Sequence, residues 1–435
     1  MIIFILAGGK GIRLKEITRD IIPKSMVSIA GKPILQYQIE FLAKNNLNKV
    51  ILSVGYQSEI IKDYFKEGKQ FGISIIYSEE SKPLGTAGAF KYAESVFNSE
   101  EDILILYGDI VFDIDLERMI KFHKNHGGIG TLFVHPNDHL YDSDLLEVDK
   151  KDNRIIRFIP KPHPKDGLYQ NLVNAGIYIL KSKILQYILP ERELDFGKDV
   201  FPELIIRGEK LYVYRTSEYI KDVGTPNRYG EVEKDLESGK VYCRNLKNKQ
   251  QAIFLDRDGV INKEVNLLHK LKQLKLINKA ADAIKRLNGS DYLVIVITNQ
   301  PVVARGFCTE EDIRKIHEKL ETLLGKQGAF IDRIYYCPHH PDKGYPNENK
   351  KYKIECNCRK PNIGMLLKAE KEFNIEKKLS FIIGDTTTDI QTGINYGIQT
   401  ILIKTGYEGL DNKFSVKPDY VFRDLKEAVD FLLGN

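Results

Sequence analysis

Ala252-Ile-Phe-Leu-Asp256-Arg-Asp258-Gly-Val-Ile-Asn262 decides how the second half of this 435-residue chain is read. An apolar run ends in two aspartates one residue apart, and glycine follows. A short apolar run bounded by a turn signal reads as a buried strand. In open α/β sheets ligands bind outside the carboxyl ends of the strands, where this run delivers its acids. Side chains alternate along an extended chain, so Asp256 and Asp258 point the same way. Two carboxylates on one edge suit a nucleophile beside a group that moves protons. A calcium loop is a poor fit, because no further oxygen ligands follow at the required steps.

Further along, Tyr292–Gln300 reads as a second apolar strand ending in Thr298 and Asn299, and the loop Pro301–Gly306 carries Arg305. Glu310–Leu324 has helical apolar spacing. A third strand, Leu379–Gly384, delivers Asp385, with Asp389 a helical turn later. Three strands ending in Asp/Asp, Thr/Asn and Asp mark one active edge. Cys337-Pro-His339 and Cys356-Asn-Cys358 form two close pairs of sulfur and imidazole donors, which suits a closed tetrahedral zinc site of structural type. The alternative is four unrelated loop residues. His340 could replace His339, but His339 gives the tighter pair. Arg359-Lys360 follow directly, so zinc would fix the loop that carries Lys360 toward a phosphate.

Asp256, Asp258, Thr298, Lys360, Asp385 and Asp389 together resemble the haloacid dehalogenase-like phosphatases. The resemblance implies a doubly wound α/β domain in which Asp256 forms an aspartyl-phosphate and Asp258 serves as acid, then base. It implies that Thr298 and Lys360 neutralise the phosphoryl oxygens, with Asn299, Arg305 and Arg359 beside the substrate. Mg²⁺ would be held by Asp256, Asp385 and the backbone carbonyl of Asp258, with Asp389 in support. The zinc loop narrows the resemblance to the histidinol-phosphatase-like branch, which includes heptose bisphosphate and histidinol-phosphate phosphatases. Thr298-Asn299-Gln300 and Ala304-Arg305-Gly306 are similar to the sugar branch. Pro301-Val302, where Ser-Gly is usual, and Thr386, where some members have lysine, leave the fine substrate preference open.

The first half begins with a strand, Ile2–Leu6, and the loop Ala7-Gly8-Gly9-Lys10-Gly11-Ile12-Arg13. Glycines there let backbone N–H groups approach phosphate oxygens. Arg13 adds a fork for a departing pyrophosphate, and Lys24 a second cation. Strand and helix patterns then alternate: Ile34–Leu42 helix, Lys49–Val54 strand, Glu59–Phe65 helix, Ile73–Tyr77 strand. Such alternation argues for a parallel sheet with helices on both faces. Pro83-Leu84-Gly85-Thr86-Ala87-Gly88 reads as a tight turn opening a helix over Ala89–Phe97. Ile103–Tyr107 is an apolar strand ending in Gly108-Asp109, where a metal-binding acid is expected.

These motifs, with Pro23-Lys24, Phe158-Ile-Pro-Lys161-Pro162, Asn174-Ala175-Gly176 and Asp222-Val-Gly224-Thr-Pro226, resemble the sugar-1-phosphate nucleotidyltransferases over residues 1–240. The resemblance implies Asp109 and Asp222 as Mg²⁺ ligands. Gly8, Gly9, Gly11, Arg13, Lys24, Gly85 and Thr86 would contact the nucleoside triphosphate, and Lys161, Asn174 and Gly176 the sugar phosphate. Lys82 stands where an acid is frequent in the family. Glu79 and Glu80 lie nearby, and the base preference stays open, GTP being the expected triphosphate.

Residues 1–240 and 250–435 are therefore read as two α/β domains joined by a polar linker in which Cys243 is incidental. The chain is 42% apolar and 29% charged, as soluble globular domains are. A net charge of +5 without a dense basic block gives no reason to expect nucleic acid. The apolar start is too short for a membrane span and makes sense as a first strand. Five cysteines are no disulfide framework in so long a chain, and a cytoplasmic location is expected. A homo-oligomer stays open. Consecutive use would join the halves: a heptose 1,7-bisphosphate loses its 7-phosphate, and the 1-phosphate is then nucleotidylated. A nucleotidyltransferase for a mannose or glucose phosphate fused to a histidinol-phosphate phosphatase is the alternative. So is one half acting as a non-catalytic sensor, against which the full set of acids and cations speaks.

Overall fold

The structure is a computed structural model that describes residues 1–97, 101–149, 151–164 and 166–434. By its contacts the chain forms two compact units. The first comprises residues 1–135, 144–161 and 172–245; the second comprises 136–143, 162–171 and 246–435.

The first unit is built on a nine-stranded sheet. Its strands are β1 (Ile2–Leu6), β2 (Lys49–Val54), β3 (Ser74–Glu79), β4 (Asp102–Tyr107), β6 (Gly130–His135), β7 (Leu145–Val148), β8 (Ile155–Ile159), β9 (Val173–Lys181) and β10 (Leu211–Arg215). A separate two-stranded ribbon pairs β5 (Ile110–Asp113) with β11 (Tyr219–Asp222). β3, β2, β1 and β4 run parallel, as the strand–helix alternation predicts. β9 then pairs antiparallel with β4, which makes the whole sheet mixed. Phe4 faces one core and Ile3 and Ile5 the other, so both faces of β1 are dry. That burial explains why β1 is continuously apolar instead of alternating.

The second unit carries a six-stranded, all-parallel sheet in the order β14-β13-β12-β15-β16-β17. These strands are β12 (Gln251–Leu255), β13 (Tyr292–Asn299), β14 (Arg333–Cys337), β15 (Phe381–Gly384), β16 (Gln399–Ile403) and β17 (Tyr420–Phe422). Ile253 and Leu255 pack on one face with helix Ala280–Gly289, and Ala252 and Phe254 on the other with helix Gly364–Phe373. β12 lies between β13 and β15, so its end and theirs lie side by side.

The helix expected over Ala89–Phe97 begins earlier, as α1 (Gly85–Tyr92). The loop near Leu194 supplies the reason. The Leu194 carbonyl accepts from the N–H groups of Ala87 and Gly88 at 2.9 and 3.2 Å, satisfying donors that a helix start otherwise leaves open. α2 (Glu310–Gly325) opens on a reciprocal cap between Thr309 and Asp312, and α3 (Thr387–Tyr396) on one between Thr386 and Asp389. Among the described residues no helix is long and apolar enough to cross a membrane.

Ile253 is fully buried in the central strand of the second unit. Ile253→Ala is expected to destabilise that unit by about 2–5 kcal/mol, read as an earlier unfolding midpoint in urea.

Candidate active sites

The carboxyl ends of β12, β13 and β15 assemble the expected acidic edge. Lys360 is its hub: Nζ lies 2.6 Å from Asp389 Oδ1 and 3.1 Å from Asp256 Oδ1. Ligand atoms of Asp256, Asp385 and Asp389 all lie within 4.8 Å of one another. Burial raises the Asp256 carboxyl to about 7 even though Lys360 pulls it down, and burial with the neighbouring Asp389 and Asp256 raises Asp385 to about 8. Burial would lower the Lys360 ammonium, but Asp256 and Asp389 outweigh it and hold the group above its usual range. Three carboxylates facing one lysine leave excess negative charge in a dry site. Hard oxygen donors with that excess fit a divalent cation such as Mg²⁺. Asp256 and Asp385 would hold it, since both Asp389 oxygens are engaged, by Lys360 and by Thr386.

Asp258 is placed differently from its partner. Its carboxylate accepts from Arg257 Nη2 at 2.8 Å, Asn262 Nδ2 at 2.8 Å and Gln300 Nε2 at 2.9 Å. Burial alone would raise its pKa, but Arg257 and these amide donors hold the carboxyl below its ordinary value. The paired aspartates thus differ in environment: burial pushes the Asp256 carboxyl up, and hydrogen-bond donors hold the Asp258 carboxyl down. Gly259 lets the chain turn there: its φ is +77°, and a Cβ would fall 2.3 Å from Asp385 Oδ2. Thr298 Oγ1 accepts from Gln300 Nε2 at 3.0 Å at this edge. Asn299, expected beside the phosphate, uses both ends of its amide on the Lys360 backbone, donating to its carbonyl at 3.1 Å and accepting from its N–H at 3.0 Å.

Cys337, His339, Cys356 and Cys358 also converge and could form a zinc site. Cys358 Sγ lies 3.2 Å from Cys356 Sγ, 3.4 Å from Cys337 Sγ and 3.4 Å from His339 Nδ1. The edge of a tetrahedron around zinc with sulfur ligands is about 3.8 Å, and a disulfide about 2 Å, so the spacing fits metal ligands better than a covalent bridge. His340 stands outside the cluster, with Nε2 3.1 Å from Arg305 Nη2. Arg359 Nη1 donates to the His339 carbonyl at 3.2 Å, which seats this arginine on the same loop.

In the first unit the ribbon of β5 and β11 places the two expected metal ligands together: the Val223 N–H donates to the Asp109 carbonyl at 2.8 Å. Lys24 is ion-paired with Asp109. Arg228 Nη1 reaches both oxygens of Asp222, at 2.8 and 2.7 Å. A Cβ on Gly224 would sit 2.5 Å from Asp222 Oδ2 and 3.5 Å from Arg13 Nη2, which puts Arg13 in the same cluster. A Cβ on Gly11, whose φ is +66°, would meet the Lys24 side chain at 2.8 Å. The space around Gly9 is open, with nothing within 4 Å of its Cβ position. Two carboxylates from adjacent strand ends, each now balanced by a cation, suit Mg²⁺ carried by a polyphosphate. Among the expected triphosphate contacts, Thr86 accepts from the Phe196 N–H at 2.9 Å and donates to Asp195 at 2.8 Å, and Gly85 lies under Leu194. These two shape the turn that faces the loop near Leu194.

On the sugar side, the Lys161 N–H donates to the Asp144 carboxylate and the Asn174 N–H to the Asp144 carbonyl, both at 3.0 Å. Asn174 Nδ2 donates to the Tyr178 hydroxyl at 2.8 Å, and Asn174 Oδ1 is buried without a partner among the described residues. Gly176 packs on the Tyr107 ring, two residues before Asp109. Gly8 lies against Glu80: a Cβ there would be 2.9 Å from Glu80 Oε1. Glu79 is occupied by Ser58 and Lys62. Arg228, Asp144 and Arg257 escape a reading of the sequence. Only Arg228 has a signal there, because Thr225-Pro226 announces a helix start one turn before it.

A protein-family profile described as Nucleotidyl transferase matches residues 2–239, more than half of the chain. The chain belongs to the nucleotidyl transferase family. A second profile, for HAD-hydrolase-like proteins, matches residues 357–428. The chain is 34% identical over 259 residues to the mannose-1-phosphate guanylyltransferase catalytic subunit beta of Dictyostelium discoideum, covering 59% of this chain and 68% of that protein. It is 32% identical to the UTP–glucose-1-phosphate uridylyltransferase of Synechocystis sp., over 59% of this chain and 67% of that protein. It is 40% identical over 187 residues to the D-glycero-beta-D-manno-heptose-1,7-bisphosphate 7-phosphatase of Pasteurella multocida, covering 42% of this chain and 98% of that protein. An N-terminal nucleotidyl transferase domain is thus followed by a haloacid dehalogenase-like phosphatase domain. Both families are enzymes.

Metal analysis of the purified protein is expected to find one zinc per chain. Cys356→Ser is expected to lose it and to lower the melting temperature of the second unit, measured by elemental mass spectrometry and calorimetry.

Proposed function

We propose that the chain is a bifunctional enzyme of nucleotide-activated heptose synthesis. Its second unit removes the 7-phosphate of D-glycero-D-manno-heptose 1,7-bisphosphate, and its first unit transfers a nucleotidyl group, GMP from GTP, to the 1-phosphate. The observation that carries the bisphosphate reading is the pair Arg305 and Arg359. Burial disfavours the Arg359 charge, the nearby Arg305 guanidinium adds repulsion, and Arg359 directly precedes Lys360. A second phosphate on the substrate would relieve that repulsion. The Pasteurella relative, named for such a phosphatase and matched over nearly its whole length, supports the same substrate.

In the phosphatase, an Asp256 oxygen attacks phosphorus while Lys360 and Thr298 balance the phosphoryl oxygens. Asp258 gives its proton to the leaving sugar oxygen. It then takes a proton from the water that releases phosphate from Asp256. In the transferase, a sugar-phosphate oxygen held by Lys161 attacks the α-phosphorus in line, and pyrophosphate departs toward Arg13 and Lys24. Bound Mg²⁺ would add charge neutralisation at both sites. Zinc would hold the loop that carries Arg359. GTP is favoured by Glu80, whose half-buried carboxylate offers acceptors beside the Gly8 loop, because guanine presents N–H donors. The Dictyostelium relative, named as a guanylyltransferase, points the same way. None of the five cysteines is joined in a disulfide, which suits the cytoplasm.

The relatives named for mannose and glucose phosphates support a second reading, in which the transferase takes a hexose 1-phosphate. Supplying heptose 1,7-bisphosphate with each triphosphate in turn, and identifying products by mass, separates the two. The expected product is a GDP-heptose together with phosphate and pyrophosphate; a nucleotide sugar formed only from mannose or glucose 1-phosphate would overturn the heptose assignment. Asp256→Asn is expected to abolish phosphate release from the bisphosphate and leave nucleotidyl transfer to heptose 1-phosphate intact.

A further inference from the structure

Arg257 stands between the two catalytic aspartates, and strand alternation should turn it away from them. Its side chain does enter the interior, where it is 0% exposed, but the guanidinium folds back under the active edge. Nε and Nη2 donate to Asp258 Oδ1 at 3.2 and 3.1 Å, and Nη2 to Asp258 Oδ2 at 2.8 Å. Nη2 also donates to Gln300 Oε1 at 2.9 Å, while Gln300 Nε2 donates to Asp258 Oδ2. Nη1 lies 3.2 Å from His317 Nε2 on α2. Arginine keeps its proton, so His317 Nε2 must be the acceptor. His317 is itself nearly buried and packs edge-on against Tyr336, with ring centres 5.4 Å apart. A charge taken wholly out of water has to be compensated by such partners, and here every one of them leads to Asp258 or steadies the arm that does.

We infer that Arg257, braced by His317, is a positioning residue that fixes the Asp258 carboxyl for both proton transfers. The inference rests on the proposed role of Asp258. In the first step the bond from phosphorus to the leaving oxygen breaks, the bond to Asp256 forms, and the Asp258 proton goes to the leaving oxygen. In the second, water oxygen bonds to phosphorus, the bond to Asp256 breaks, and the water proton returns to Asp258. One water is consumed and one phosphate released. Arg257 acts through Asp258, Gln300 and His317. It sets where the carboxyl stands, and lysine, a point charge, cannot bridge Asp258, Gln300 and His317 together.

Leaving groups separate positioning from general structural damage. A sugar oxygen needs its proton, whereas p-nitrophenolate departs without one. In Arg257→Met, kcat for heptose 1,7-bisphosphate is expected to fall on the order of a hundred-fold, with KM little changed. The first-turnover burst from p-nitrophenyl phosphate should keep nearly its wild-type rate, with aspartyl-phosphate accumulating afterwards. Should Arg257→Met fail to fold, His317→Leu should show a smaller split in the same direction, and His317→Gln, which restores an acceptor, should reverse it. Equal losses on both substrates, or a His317→Leu enzyme without any split, would overturn the inference. Asp258→Asn is the control. A split there but not in the Arg257 and His317 variants defeats this inference alone; no split in Asp258→Asn defeats the proposed role of Asp258 instead.

Discussion

The phosphatase unit depends on one buried ion cluster, Lys360 between Asp256 and Asp389. Its lysine has almost no contact with water. Removing either kind of charge would leave the other stranded in a medium that solvates it poorly. The cluster therefore requires three backbones to keep their places: the end of β12, the start of α3, and the loop carrying Lys360. The cap between Thr386 and Asp389 fixes the second, and the Asn299 amide fixes the third. The parallel sheet supplies the first, since the Asp256 N–H extends the ladder by donating to the Ile383 carbonyl at 3.0 Å.

The transferase unit solves a similar problem with less burial. Asp109 and Asp222 are brought together by the β5–β11 ribbon outside the main sheet, and each carboxylate has its own cation. Both pairs are part-buried, with the carboxylates more exposed than the Lys24 and Arg228 cations that hold them. In the phosphatase unit burial and neighbouring carboxylates instead push Asp256 and Asp385 up, to about 7 and about 8. Both halves gather carboxylates and cations at strand ends, partly exposed in one and nearly buried in the other.

Much of this was legible in the residues. Apolar runs ending in Asp256, Asp385 and Asp109 mark sheet edges because burial on both faces forbids polar residues until the strand ends. Cys337, His339, Cys356 and Cys358 are conspicuous because their chemistry has few other uses in a polar loop. What escaped depends on distance in the fold. Glycine spacing cannot reveal that the Leu194 carbonyl caps α1 from more than a hundred residues away, so the pattern alone sets the helix start too late. Nor does a lone arginine between two aspartates announce that its guanidinium returns to one of them. Thr86 and Asn299 sit where the motifs put them, but the motif alone does not say that their polar groups serve neighbouring backbone and side chains.

The Asn299 amide embraces the Lys360 peptide as a neighbouring strand would, with one bond in each direction. The register of the lysine is thereby set by β13 and not by the length of the excursion that precedes it. Residues 341–355, between the two donor pairs of the candidate zinc site, can consequently be lengthened, shortened or rewritten in descendants of this scaffold while the ammonium stays opposite Asp256. A lineage could thus diversify its substrate range from this segment without rebuilding the chemistry.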